Sequence, residues 1–160
     1  MSLRLSVLDQ SAAASGRGQD TTIRQTLALA QKAEAWGYDR FWVSEHHSHP
    51  SIVGSAPEVL MAAIAARTQR IRIGSAGVML PHYSALKVAE QFRVLDALAS
   101  GRIDLGVGRA PGSDGRTAQL LNPDQLRRPH ISCSYRQHDH RRVLRRRSEG
   151  RYPIWFRERK

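Results

Sequence analysis

The stretch that decides the fold of this chain reads Phe41-Trp42-Val43-Ser44-Glu45-His46-His47. It has the form of a short apolar strand that ends abruptly in a carboxylate and two imidazoles. Side chains at the carboxyl end of a parallel strand point into the mouth of an α/β fold, where ligands bind. Strand ends are also solvated, so this segment alone is compatible with a binding site or with a polar loop. The recurrence of the same layout along the chain favours a site.

Units of a strand followed by a helix recur every ~30 residues around this segment. Strands are predicted over residues 3–8, 40–44, 71–80 and 103–107, and helices over about 20–36, 55–67 and 84–99. Repeated βα crossovers give a parallel sheet. The element lengths are typical of a (β/α)8 TIM barrel, which needs ~250 residues. Because the pattern stops at about Asn122, we expect an α/β fold that is a truncated (β/α)8 barrel, made of its first four βα units.

The helix boundaries carry three specific predictions. Asp20 is predicted to cap the first helix, and Gly37 is predicted to end it by adopting the left-handed backbone conformation. The segment Ser55-Ala56-Pro57-Glu58 has the spacing of a capping box that opens the second helix. Its proline falls in the first turn, where the missing N–H costs nothing.

Four predicted strand ends lie on one rim of the barrel. They are Asp9-Gln10, Glu45-His46-His47, Ser75-Ala76-Gly77 and Gly108-Arg109. Together they offer an imidazole, a carboxylate, close-approach backbone and a cation, which suits an anionic or phosphorylated planar ligand. Arg109, on a loop flanked by glycine, is a candidate phosphate clamp, and a solvated charge is the competing interpretation.

The small residues Gly74-Ser75-Ala76-Gly77 are open to two explanations. Glycine weakens a strand unless another backbone or a flat ligand must approach closely. Close packing between neighbouring strands and the approach of a planar ligand explain the run equally well.

A metal site is the competing interpretation of the second strand end. Glu45, His46, His47 and His49 are all residue types that bind metals, and His-x-His occurs at strand ends of metal-dependent barrel hydrolases. However, His46 and His47 face opposite ways if the strand pleat persists. No second cluster follows, since His82 is isolated in the sequence. We therefore expect no metal and keep a metal-dependent hydrolase as an alternative.

The formal net charge of +11 belongs mainly to the last part of the chain. Residues 1–122 carry 13 Lys/Arg and 10 Asp/Glu, a difference of +3, whereas residues 123–160 carry 12 and 4, a difference of +8. An arginine-rich tail can bind nucleic acid through phosphates, but a solvated, disordered tail is the expectation. With Cys133 as the single cysteine and no long apolar segment, we expect no disulfide, no membrane partner and a cytoplasmic location.

Four motifs resemble the luciferase-like flavin monooxygenases, in particular the bacterial alkanal monooxygenase-like branch. They are Gly37–His47, Arg70–Gly74 continuing through Val78–Tyr83, Ala89–Phe92 and Gly101–Gly112. The motifs are in order and correctly spaced over residues 3–122. The resemblance implies a (β/α)8 barrel that binds reduced FMN, or in one branch the deazaflavin F420, on its carboxyl-terminal rim. It also implies that dioxygen oxidises a small organic substrate, with the reduced flavin supplied by a separate reductase.

The resemblance also assigns roles by position. His46 matches the catalytic histidine of the family, and Glu45 and His47 are its neighbours at the flavin. Ala76-Gly77 matches the site of a non-proline cis peptide bond beneath the flavin ring, and Arg109 matches the contact to the flavin phosphate. Histidine suits proton exchange near neutral pH, in agreement with the role that the resemblance implies.

The chain departs from the family after Asn122. Family members are about twice as long, and residues 123–160, with 11 arginines, match nothing in them. A frameshift or a degraded gene copy would give such a tail, so we expect two parts, a half barrel over 1–122 and an unrelated tail over 123–160. Four units leave two open strand edges, which a second copy of the chain would close. The expected activity is that of a weak or inactive flavin monooxygenase.

Overall fold

The computed structural model describes residues 3–110 and 114–121, and a parallel four-stranded sheet lies at its centre. The sheet has the order β1-β2-β3-β5, in which all neighbours run parallel. A smaller parallel pair is formed by β4 and β6. The strands are β1 (Ser6–Asp9), β2 (Arg40–Val43), β3 (Arg72–Ser75), β4 (Val78–Met79), β5 (Ile103–Asp104) and β6 (Val107–Gly108). The sequential parallel order confirms the predicted α/β fold.

Helices cover one face of this sheet. They are α1 (Gln19–Ala35), α2 (Pro57–Ala65) and α3 (Ala85–Leu98), with a 3₁₀ turn at Leu80–His82 and a short α4 (Gly115–Leu121). The core lies between the sheet and the helices, because the apolar stripes of the helices face the strands. Its fully buried members include Ala30, Ala33, Phe41, Val43, Met61, Ile64 and Ile73.

The two faces of the sheet differ in exposure. On β2, Phe41 and Val43 are fully buried against the helices, whereas Arg40 and Trp42, on the opposite face, are partly exposed. Leu8, which pairs with Trp42 on the neighbouring strand, is 57% exposed. This face corresponds to the interior of a closed barrel, where layers of side chains fill the space. The described strands therefore form half of such an interior.

Charged side chains cross the open face between strands. Asp104 on β5 accepts a hydrogen bond from Arg40 Nε at 2.7 Å and one from Arg72 Nε at 3.0 Å. The guanidinium of Arg40 also lies 5.4 Å from the centre of the Trp42 ring. Burial opposes ionisation of Asp104, but the hydrogen bonds from Arg72 and Arg40 outweigh it and hold the pKa of this carboxyl below its usual range.

The third and fourth predicted strands are each interrupted, contrary to the continuous strands expected over 71–80 and 103–107. The hydroxyl of Ser75 donates to the Gly106 carbonyl at 2.9 Å and accepts the Gly106 N–H at 3.0 Å. A Cβ at Gly77 would lie 2.9 Å from the backbone of Gly106, and one at Gly106 would lie 2.1 Å from the Ser75 carbonyl oxygen. Close packing of backbones is therefore a sufficient cause for these glycines, and it divides each strand in two.

Two of the three predictions at the helix boundaries are wrong. Helix α1 has Gly18 at its N-cap, so Asp20 is already helical and pairs with Arg24 one turn later. Helix α2 begins at Pro57 as predicted, but its N-cap is Ala56 and no capping box forms. A residue before proline is disfavoured in the helical region, so Ala56 cannot be the first helical residue that the box requires. Gly37 does adopt the predicted left-handed conformation, with φ 80°.

The arginine-rich tail of residues 123–160, including Cys133, lies outside the described residues, as do Pro111 and Gly112. Within 3–110 and 114–121, no helix combines the length and the apolar character needed to cross a membrane.

Candidate active site

The carboxyl ends of β1, β2 and β3 lie level with one another at one edge of the sheet. Asp9 pairs with Val43 and Val43 pairs with Ser75, so the residues that follow each strand emerge side by side. The backbone continues this contact, since Ala76 N–H donates to the Val43 carbonyl at 2.7 Å. The structure thus brings the predicted segments 45–47 and 76–77 together on one rim.

Glu45 is buried under this rim and does not face solvent. Its side chain is fully buried, and its Oε1 accepts a hydrogen bond from the Tyr83 hydroxyl at 2.7 Å. The other oxygen, Oε2, accepts the Met79 N–H at 3.0 Å. His47 Nε2 lies 2.7 Å from Oε1 and forms the third contact. The carboxylate is therefore held entirely by groups of the chain itself.

Tyr83 is a member of this site that the sequence analysis did not identify as one. Burial raises the pKa of its phenol well above the usual range, and the hydrogen bond to Glu45 acts in the same direction. The phenol therefore stays protonated and remains a donor to the carboxylate. A buried glutamate requires such donors, which was the available signal, although the sequence does not say which of the distant residues supplies them.

The ring of His47 is fixed by two contacts. Besides the contact with Glu45, it stacks on His82, with ring centres 4.6 Å apart and an angle of 21° between planes. His82 is therefore not isolated in space, although its position in the sequence had indicated that it is. One residue, His47, therefore links the His82 ring to the buried carboxylate.

His46 is partly exposed. The ring atom Nδ1 of His46 lies 3.2 Å from the Ser44 hydroxyl, and the backbone N–H of His46 donates to the Gly54 carbonyl at 3.0 Å. With Nδ1 engaged by Ser44, the Nε2 edge is directed the other way. The backbone and the ring of His46 are thus both oriented by neighbouring residues, as a residue that exchanges a proton requires.

Ala76, Gly77 and Arg109 occupy the neighbouring part of the rim. The peptide bond between Ala76 and Gly77 is cis, as the resemblance implies, and Ala76 is exposed. Arg109 follows Gly108, which pairs with Met79, the residue whose N–H binds Glu45. The exposed Arg109 therefore directly follows β6, which pairs with β4, the strand that Glu45 binds through Met79.

A second polar cluster lies where β1 ends and joins Asp9, which was predicted on the rim, to Ser11 and Thr26, which were not. Thr26 donates to Asp9 Oδ2 at 2.6 Å, and the Ser11 hydroxyl lies 2.8 Å from that of Thr26. Ser11, with φ 51°, turns the chain so that the loop after β1 meets the loop after β2. The two loops exchange hydrogen bonds, from Ala13 N–H to the Ser51 carbonyl at 2.6 Å and from Val53 N–H to the Ser11 carbonyl at 3.1 Å.

In the part of the chain that the structure describes, no three His, Cys, Asp or Glu side chains are grouped so that they could hold a metal ion. A cleft of about 690 Å³ does open at the amino ends of the strands, lined by residues that include Leu3, Trp36 and Arg70. None of the predicted site residues lines that cleft.

Small exposed residues, an oriented imidazole and a cation on one rim suit a flat ligand that carries a phosphate. Ala76 leaves the backbone next to it accessible, because its methyl group is the smallest side chain that has a Cβ. Arg109 can bind a phosphate bidentately, and His46 can donate or accept a proton. The residues present therefore fit the flavin mononucleotide that the resemblance implies.

Comparison with known proteins agrees with this description. The family model for luciferase-like monooxygenases matches residues 1–125. The N-acetyl-S-alkylcysteine monooxygenase of Bacillus subtilis is 60% identical over 110 residues, which are 69% of this chain and 33% of that protein. The chain thus spans about a third of the length of the curated relatives it matches.

Solved structures show the same relationship. The crystal structure of apo-MsnO8 superposes with a TM-score of 0.72 at 45% identity, over 77% of this chain and 37% of that one. The oxygenating constituent of 3,6-diketocamphane monooxygenase from Pseudomonas putida, in complex with FMN, gives a TM-score of 0.68 at 26% identity, over 76% and 33% of the two chains. The four βα units are those of a luciferase-like barrel, and the chain belongs to the luciferase-like monooxygenase family.

Proposed function

We propose that this chain carries the catalytic rim of a flavin-dependent monooxygenase, which inserts one oxygen atom of O2 into a small organic substrate. The observation that carries the proposal is the orientation of His46, which Ser44 and Gly54 hold at the same end of the sheet as the exposed Ala76. When bound, reduced FMN would supply the electrons that activate dioxygen. The chain's own residues bind this group, orient it and exchange a proton beside it.

Each rim residue has a distinct proposed role. His46 is the catalytic residue that exchanges a proton through its Nε2 edge. Ala76 and Gly77 offer accessible backbone to the flavin ring, and Arg109 binds the phosphate. His47, held between Glu45 and His82, borders the cofactor. The proposed source of reduced FMN is a separate flavin reductase, and the reaction is proposed to take place in the cytoplasm.

Turnover by this chain is proposed to be weak. The inner face of the sheet is open, with Leu8 57% exposed and Trp42 partly exposed, whereas a closed barrel excludes water from its mouth. Water that reaches the rim lowers the fraction of consumed oxygen that ends in product.

A second copy of the chain is proposed to close the sheet. Within the described sheet, β1 and β5 each have one edge without a neighbouring strand. A two-fold axis along the barrel axis would place β5 of each copy beside β1 of the other and give eight parallel strands. Sedimentation equilibrium should then show a dimer at micromolar concentration. A monomer over the whole concentration range would contradict this proposal.

The segment 123–160 is proposed to be an appended part without a role in the flavin site. Deleting it after Asn122 should leave FMN affinity unchanged. Nucleic-acid binding that falls steeply with salt and disappears on this deletion would instead assign the tail a function of its own.

The experiment that tests the function is a titration of the purified 160-residue chain with FMN, reduced FMN and F420. It is followed by measurement of oxygen consumption and product with a long-chain aldehyde. We expect the chain to bind FMN and to form some product. His46→Ala should lower the amount of product. Binding of F420 in preference to FMN would point to the other branch of the family, and no binding at millimolar flavin would contradict the proposal.

A further inference from the structure

We infer that Glu45 is a positioning residue, whose buried carboxylate ties the tip of β2 to the segment that follows Ala76-Gly77 and does not itself touch the flavin. The inference rests on the proposed flavin site and assigns Glu45 a different task from that of His46. It concerns the relative placement of three parts of the rim.

The Glu45 carboxylate is not accessible to a ligand from solvent. The Glu45 side chain is fully buried, and both of its oxygens are occupied by groups of the chain. A ligand on the rim could reach this carboxylate only by displacing Tyr83 or His47. The ring of His47, 24% exposed, lies between the carboxylate and the rim surface instead.

Both oxygens of the Glu45 carboxylate are in use as acceptors. Three groups converge on the two oxygens, namely the Tyr83 hydroxyl, the Met79 N–H and His47 Nε2. The two carboxylate oxygens accept from the Tyr83 hydroxyl and from the Met79 N–H, one oxygen each, and His47 Nε2 shares the oxygen that Tyr83 binds. The isosteric glutamine has one accepting oxygen and an NH2 that donates, so the Met79 N–H and the Tyr83 hydroxyl could no longer both donate to this side chain.

The Glu45 contacts connect the end of β2 with β4 and, through β4, with β6. Met79 belongs to β4, two residues beyond Gly77, and it pairs with Gly108, which precedes Arg109. Glu45 itself precedes His46. The Glu45 carboxylate therefore fixes the spacing between His46, the Ala76-Gly77 backbone and Arg109, to which we assign the proton exchange, the flavin ring and the phosphate. Its loss would change FMN binding without removing any atom that contacts FMN.

The test compares Glu45→Gln, Tyr83→Phe and the double variant with the wild-type chain. Glu90→Gln is the matched control, because Glu90 is exposed on α3 and undergoes the same chemical change. Hydrogen exchange of the Met79–Tyr83 amides is measured on the protein without flavin. FMN affinity and the circular dichroism of bound FMN, which reports on the orientation of the ring, are measured on the loaded protein.

The expected result is faster exchange at Met79 in both single variants, FMN affinity about tenfold lower in Glu45→Gln and an altered flavin dichroism band. The double variant should lose less affinity than the sum of the two single losses, because both changes act on one contact network. Glu90→Gln should match the wild type. Tyr83→Phe, which removes one hydroxyl, keeps the test valid if Glu45→Gln does not fold.

Two results would overturn the inference. Weaker FMN binding in Glu45→Gln with unchanged exchange at Met79 would mean that the carboxylate contacts the cofactor directly. Faster exchange with unchanged FMN affinity and dichroism would limit Glu45 to a role in stability. Absence of FMN binding by the wild-type chain would contradict the proposed function, whereas the exchange data would still show whether Glu45 joins the two segments.

Discussion

The indole ring of Trp42 occupies the space that a side chain at Gly74 would need. The two residues pair across β2 and β3, and a Cβ at Gly74 would lie 2.3 Å from Cζ3 and 2.4 Å from Cε3 of the indole. The Trp42 ring therefore packs on the inner face of the sheet directly against Gly74, which leaves room for it because it has no side chain. Of the two explanations for the small residues in β3, close packing is sufficient at this position.

Gly74→Ala is expected to destabilise the fold by about 1–3 kcal/mol, the usual cost of overpacking. Chemical denaturation measures the effect. Gly108→Ala is the control, because a Cβ there would make ordinary contacts, 3.6 Å and 3.7 Å from carbonyl oxygens. Combining Gly74→Ala with Trp42→Leu should recover part of the loss, and a full loss in that background would show that the ring is not its cause.

Asp104→Asn is expected to lower the free energy of unfolding at neutral pH by about 1–3 kcal/mol, because Arg40 and Arg72 lose an ionised acceptor. The pKa of Asp104 is lowered in the folded state, so its stabilisation is present above the unfolded pKa of ~3.9 and is lost as the pH falls through the folded value. Denaturation of wild type and variant at several pH values should give a difference that shrinks below about pH 4. The exposed Asp20, paired with Arg24, provides a control substitution, Asp20→Asn, with a small expected effect.

Tyr83 is expected to resist ionisation in alkaline solution. Its pKa is raised in the fold by burial and by the Glu45 hydrogen bond, so the corresponding stabilisation is present below the unfolded pKa of ~10 and is lost above it. Spectrophotometric titration of wild type and Tyr83→Phe should give the same phenolate absorbance up to about pH 11. A deficit of one tyrosine in the variant already at about pH 10 would contradict the buried hydrogen bond.

Arg109→Ala is expected to weaken FMN binding by about tenfold to a hundredfold, the loss of one charge-assisted contact. Riboflavin lacks the phosphate, so its affinity should stay the same. Fluorescence titration with both flavins separates the two results. Arg93→Ala, at an exposed position on α3, is the matched control. An equal loss for riboflavin would remove Arg109 from the phosphate site.

The order of elements was predictable because apolar residues recur with clear strand and helix periods. The cis peptide bond at Ala76-Gly77 was implied by the resemblance. The break at Gly106 was not predictable, since it goes with hydrogen bonds to the Ser75 hydroxyl, 31 residues away in the sequence. Rim residues such as His46 follow directly from strand ends. Tyr83 and Thr26 could not be predicted in this way, because each binds a residue from another part of the chain. Tyr83 binds Glu45, and Thr26 binds Asp9.

The hydrogen bonds that join the loops after β1 and β2 bear on protein engineering. Because Ala13 binds Ser51 and Val53 binds Ser11, with Gly54 packed on the Ser11 side chain, the shape of either loop depends on the other. Grafting one loop from a relative in order to change specificity would leave its counterpart without a matching edge. Residues 11–13 and 51–54 are therefore a single cassette, which has to be exchanged whole if His46 is to keep the Gly54 contact that orients it.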